Sequence, residues 1–139
     1  MGAHIVVASR NAENLNRVAG EIEALGRDSL AVLTDVCIAE QVNNLVKQMI
    51  DKFGRIDILV NNAGAAITFN KVEDLIPEEF NATVALNLTA SFLLSSAAGR
   101  VMSEQKSGEI INVSSAAALR GGAFMAHYSA AESGLLRLT

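Results

Sequence analysis

Short, wholly apolar runs alternate with longer stretches whose apolar residues recur every three or four positions, and this constrains the fold most. Ile5-Val6-Val7-Ala8 is too continuous for a half-exposed strand and suits one buried on both faces, as parallel sheets require. Ser9-Arg10-Asn11 breaks that run. Leu15, Val18, Ala19, Ile22 and Leu25 then form one stripe of an amphipathic helix from Ala12 to Leu25, stopped by Gly26. A second strand, Ser29 to Thr34, ends in Asp35-Val36. The next helix, Ala39 to Phe53, carries Val42, Leu45, Val46, Met49, Ile50 and Phe53 on one side and closes at Gly54. Ile56-Asp57-Ile58-Leu59-Val60 is a third buried strand, and it leads into Asn61-Asn62-Ala63-Gly64. Strand and helix alternating through short connections define an α/β fold, a parallel sheet flanked by helices.

Ala65 to Ile76 reads as a loop, followed by Pro77-Glu78-Glu79, with proline and acids in the first turn of a helix. Helical character continues to about Glu104. Its middle, Leu86 to Ala98, is almost uncharged, so the helix is covered on more than one side, by its own domain or by a partner subunit. Ser107-Gly108 turns the chain into a fourth strand, Glu109 to Ser114, and a last helix runs from near Tyr128 to Thr139.

The 139 residues make a single domain with enough apolar residues for a core. A net charge of −4 and the lack of a basic run argue against nucleic acid as a partner. Cys37 is the only cysteine, so no internal disulfide or thiolate metal cluster can form, and a reducing, cytoplasmic setting fits. Residues 1–6 lack the pattern of a signal peptide, and no apolar run approaches the roughly 20 residues of a membrane span. No metal site and no membrane partner are expected.

In open parallel sheets, ligands bind beyond the carboxyl ends of the strands. Those ends carry Ser9-Arg10, Asp35-Val36, Asn61-Asn62-Ala63-Gly64 and Ser114-Ser115. Each alone has a plain structural explanation: Asp35 a helix cap, Arg10 a solvated charge, Asn61-Asn62 a turn. Together they suit one extended ligand.

With these motifs in view, the chain resembles the short-chain dehydrogenase/reductase family, and within it 3-oxoacyl-acyl-carrier-protein reductases and similar ketoreductases. The resemblance runs from Gly2 to Thr139. It rests on Asn61-Asn62-Ala63-Gly64 after an apolar strand, Asn87-Leu88-Thr89, Ile110-Ile111-Asn112-Val113-Ser114-Ser115 and Tyr128-Ser129-Ala130-Ala131. It implies a Rossmann-like, doubly wound parallel sheet and an NAD(P)(H)-dependent oxidoreductase acting on a small carbonyl or alcohol. By resemblance, Ser115 would hydrogen-bond the substrate carbonyl, with Ser114 the lesser candidate, and Tyr128 would be the general acid or base. Asn87 would interrupt its helix and support a proton relay. Asp35 and Val36 would contact the adenine, while Asn61, Ala63 and Gly64 would line the cofactor crevice. An acid after the first strand binds a ribose 2′-hydroxyl, whereas arginine accommodates a 2′-phosphate. Ser9-Arg10 therefore favours NADP(H) over NAD(H). Homo-oligomers, dimers or tetramers, would form through helices 78–104 and 128–139.

Three departures from the family pattern qualify that reading. The family lysine four residues after the tyrosine is here Glu132. Side chains at i and i+4 on a helix are neighbours, and one charge at about 5 Å in an effective dielectric of about 20 is worth ~3 kcal/mol. A cation there favours an ionised phenol and a carboxylate opposes it, so the catalytic set is broken and activity weak or absent. The glycine-rich phosphate loop is also missing, and with it the strand at the centre of the family's sheet. Finally, the chain stops inside the helix begun at Tyr128. A fold incomplete at both ends is expected, residues 1–139 forming a partial dinucleotide-binding domain. It would belong to a longer protein, or be a truncated product needing another chain to complete its sheet. The competing function is a non-catalytic binding or assembly module.

Overall fold

In the computed structural model, which describes residues 2–139, four parallel strands form two separate pairs. β1 (Ile5–Ser9) pairs with β2 (Ser29–Leu33) in the register Ile5 to Ser29. β3 (Ile58–Asn61) pairs with β4 (Glu109–Asn112) in the register Ile58 to Glu109. Among the described residues no ladder joins β1 to β3. Each is paired along one edge only, as the absence of a central strand leads one to expect.

One helical layer holds the two pairs together. α2 (Ala39–Phe53) lies beside α4 (Ala90–Gln105), and Val32, Val42, Leu45 and Leu94 form a core that also receives Val6 of β1 and Leu59 of β3. A second cluster, Val46, Ile56, Ala98 and Met102, continues it toward Ile110 of β4. α1 (Ala12–Ala24) covers the β1–β2 pair, its first turn capped by the Asn11 side chain, which accepts from the Asn14 amide at 2.9 Å.

The four strands are less buried than their composition suggests. Side chains alternate across a strand. Leu59 and Ile110 therefore enter the core, while Ile58 and Val60 on the other face of β3 are 56% and 53% exposed, and Ile111 of β4 is exposed beside them. No element packs on that face among the described residues. Leu25 also departs from its expected place on a buried stripe. α1 ends at Ala24, the chain turns through Gly26, and Leu25 is exposed.

Pro77–Gln105 is one helical rod of 29 residues, in which α3 (Pro77–Val84) passes into α4 through a π turn at Ala85–Thr89. By length and composition alone this rod could cross a membrane, which corrects the expectation that no segment approaches a span. Ala90, Leu94, Ala98 and Met102 of the rod are buried, and α4 lies against α2, β3 and β4, as a core helix does. The cover is one-sided, since Phe92 is exposed. α5 (Ala126–Leu138) closes the fold, packed against the π turn, α3 and a short turn at Ala116–Ala118.

Candidate active site

Asn87 lies in the middle of the π turn. Its buried side-chain amide donates to the Thr83 carbonyl at 2.9 Å, giving a polar partner to the backbone where the regular ladder is interrupted. The same amide group donates to the Ala65 carbonyl and its oxygen accepts from the Ala65 amide, both at 2.9 Å. Asn87 thereby clamps the segment that leaves β3. Gly64 is required beside it, since a Cβ there would lie 2.7 Å from Asn87 Oδ1.

α5 brings Tyr128 and Glu132 to the same region. Tyr128 lies in its first turns and is half-buried. Glu132, one turn on, is 3% exposed, which rules out an idle glutamate on a solvated helix face. The Ser114 hydroxyl, just beyond β4, donates to Glu132 Oε2 at 2.9 Å. Glu132 Oε1 would be 3.9 Å from a Cβ on Gly64. The carboxylate thus stands between the ends of β3 and β4, next to the segment that Asn87 holds.

Ser115 is half-buried and its hydroxyl accepts from the Ala117 amide at 3.2 Å, capping the turn at Ala116–Ala118. Among the described residues no hydrogen bond joins Ser115 to Tyr128. Ser114, the lesser candidate by sequence, is the serine tied to the lysine-equivalent position.

The remaining strand ends form a second group. Arg10, largely exposed, reaches Asp35 at 3.9 Å. Asp35 also accepts from the Cys37 amide at 2.9 Å, which makes it a turn-forming residue as well as the arginine's counter-charge. Ser9 accepts from the Asn11 amide at 3.2 Å, and Val36 packs on the core. Burial first, then the charge of Asp35 and a hydrogen bond to it, push the Cys37 thiol up, while Arg10 opposes them. Asn61 points inward rather than into an open crevice: its amide donates to Ser95 at 3.0 Å and Asn112 at 2.8 Å. Ala63 and Gly64 are exposed.

Two residues of this region escaped the sequence reading. His127 is fully buried, with Nε2 3.2 Å from the Thr68 hydroxyl, and so ties α5 to the loop after β3. The signal was available, since His127, Ala131 and Leu135 recur at four-residue spacing and all three are buried. Phe124, in the loop before α5, has φ +63, a conformation no sequence pattern announced.

Parallel strands with ligand-facing loops at their carboxyl ends define the class of doubly wound α/β nucleotide-binding proteins. Comparison with known proteins narrows this. The family model "short chain dehydrogenase" matches residues 1–139, and the chain belongs to that family. It is 39% identical to a 3-oxoacyl-[acyl-carrier-protein] reductase of Synechocystis sp., with 97% of this chain aligned to 54% of the relative. The crystal structure of an NAD+-bound xylitol dehydrogenase matches with TM-score 0.95 at 30% identity, covering 99% of this chain and 53% of the other. A metagenomic short-chain oxidoreductase in complex with NADP matches with TM-score 0.92 at 35% identity, covering 99% and 62%. The chain spans about half the length of the curated relatives it matches.

Proposed function

We propose that this chain carries the carbonyl-handling half of an NAD(P)(H)-dependent oxidoreductase for a small ketone or alcohol. In this reading Tyr128 moves the proton and Ser115 polarises the oxygen. The observation that supports it is the meeting of α5, through Glu132 one turn after Tyr128, with the Asn87 clamp, Gly64 and Ser114 at the carboxyl ends of β3 and β4.

The residues fit a dinucleotide at its adenine end. Arg10 offers an exposed guanidinium to a 2′-phosphate, Ser9 shapes the turn after β1, Asp35 shapes the turn after β2, and Val36 packs on the core beside it. Ala63 and Gly64 present backbone without bulk, and Asn61 holds their strand in place. The bound nicotinamide would supply or take the hydride. NADP(H) is favoured over NAD(H) on the strength of Arg10, and similar structures are titled with either cofactor.

At the phenol end the fit is poorer. Glu132 can accept from ribose hydroxyls but places a buried carboxylate at the position where the family carries a lysine. This favours a second reading, a member that binds cofactor and assembles with other subunits while turning over weakly. Phe92 on α4, with Leu136 and Leu138 on α5, leaves apolar surface on the two helices proposed to make a homo-oligomer. A cytoplasmic location is part of the same proposal.

Titration with NADPH, followed by a ketone-dependent oxidation assay, tests these readings. Turnover lost in Tyr128→Phe supports the first, and tight binding without turnover supports the second. Absence of NADPH binding contradicts both.

A further inference from the structure

Glu132 is a carboxylate only 3% exposed, and its charge is poorly met by the side chains around it. The Ser114 hydroxyl donates to Oε2 at 2.9 Å, while among the described residues no donor reaches Oε1. None of their lysines, arginines or histidines lies within ion-pair distance of it either. A buried charge held by one neutral hydrogen bond is costly, and it calls for a counter-charge.

Oε1 shares its surroundings with a second buried oxygen. Asn87 Oδ1 and Glu132 Oε1 approach the same side of Gly64, 2.7 and 3.9 Å from the point a Cβ would occupy. That space is too tight for a methyl group and is edged by oxygen. Asn87 is 1% exposed, and its Oδ1 accepts from the Ala65 amide at 2.9 Å while keeping a second lone pair. The Ser114 oxygen also keeps its lone pairs when its proton lies on Oε2. A carboxylate, an amide oxygen and a hydroxyl are hard donors carrying one negative charge between them. Calcium and magnesium take six or more oxygens, whereas here, among the described residues, no three His, Cys, Asp or Glu side chains stand together. One charge matches a monovalent ion.

We propose that Glu132, Ser114 and Asn87 bind a monovalent cation of potassium size beside Gly64. The ion neutralises the carboxylate and ties α5 to the end of β4 and to the segment that Asn87 clamps. This goes beyond the carbonyl-handling reading and stands whether or not Tyr128 moves a proton, because it is carried by the burial of Glu132.

The test compares thermal unfolding of the full chain in potassium chloride and in tetramethylammonium chloride at equal ionic strength, the second cation being too bulky to enter. Potassium should raise the parent's midpoint by about 5 °C over tetramethylammonium, the shift that a tenfold gain in the folding equilibrium gives a chain of this size. Glu132→Gln keeps the shape and an acceptor for Ser114 but removes the charge, so the two salts should give it the same midpoint. Equal midpoints for the parent in both salts, or a potassium effect that persists in Glu132→Gln, overturn the proposal. A second measurement needs the parent alone: the Glu132 carboxyl carbon resonance should move with potassium and not with tetramethylammonium. A resonance indifferent to potassium overturns the proposal even if Glu132→Gln fails to fold.

Discussion

The Ser114 hydroxyl donates to the Glu132 carboxylate at 2.9 Å, and this contact joins the end of β4 to α5 across the candidate site. Glu132 is buried, so its charge or hydrogen-bonding capacity must be met from within the fold. Ser114→Ala removes the only side-chain donor on that carboxylate among the described residues. The expected loss is about 1–3 kcal/mol of stability, measured by urea denaturation. A midpoint unchanged from the parent would show that solvent reaches the carboxylate freely.

Gly64 leaves no room for a side chain beside Asn87. Gly64→Ala would drive a methyl group to 2.7 Å from Asn87 Oδ1 and disturb the clamp on Ala65. Overpacking of this kind costs about 1–3 kcal/mol. Pairing it with Asn87→Ala makes the test specific. Each single variant should unfold earlier than the parent, and the two losses should fall short of additive because they act on one contact.

Core and strand-face positions should respond differently, although they look alike in sequence. Leu94→Ala empties part of the cluster that bridges the two strand pairs and should cost about 2–5 kcal/mol. Val60→Thr lies on the uncovered face of β3 and should change stability by less than about 0.5 kcal/mol. Thermal unfolding of the two variants decides whether that face is as bare in solution.

The Cys37 thiol gives a pH-dependent readout of the Arg10 and Asp35 group. Burial, Asp35's charge and its hydrogen bond raise the thiol and Arg10 lowers it, so the thiolate forms at higher pH than in an unhindered cysteine. Alkylation of the parent near pH 8 should be slower than that of a free cysteine. Asp35→Asn removes a negative charge and should speed it, whereas Arg10→Gln should slow it. Rates that ignore both substitutions would place Cys37 outside the group.

How much of this was legible in the chain depended on whether a residue's role was local. The four strands and the helices over 12–24, 39–53 and 77–105 follow from periodicity and caps, while the interrupted helix at Asn87 was expected only from the family resemblance. The exposed faces of Ile58, Val60 and Ile111 did not, because an apolar run describes a strand built for cover whether or not cover is present. Glu132 was legible as a departure at the lysine position. Its burial and its choice of Ser114 over bulk water required α5 to be set against the end of β4. Phe124's positive φ is likewise a property of the assembled loop, held by Asn70 from more than fifty residues away in sequence.

The central claim is that the chain retains a carbonyl-handling pair whose output is suppressed by the carboxylate at position 132. It is tested most directly by the rate of ketone-dependent NADPH oxidation in the parent and in Glu132→Lys, measured side by side at neutral pH. Restoring a cation four residues after Tyr128 should raise the rate about a hundredfold, within the range of general acid–base catalysis. Equal rates in the two proteins would contradict it.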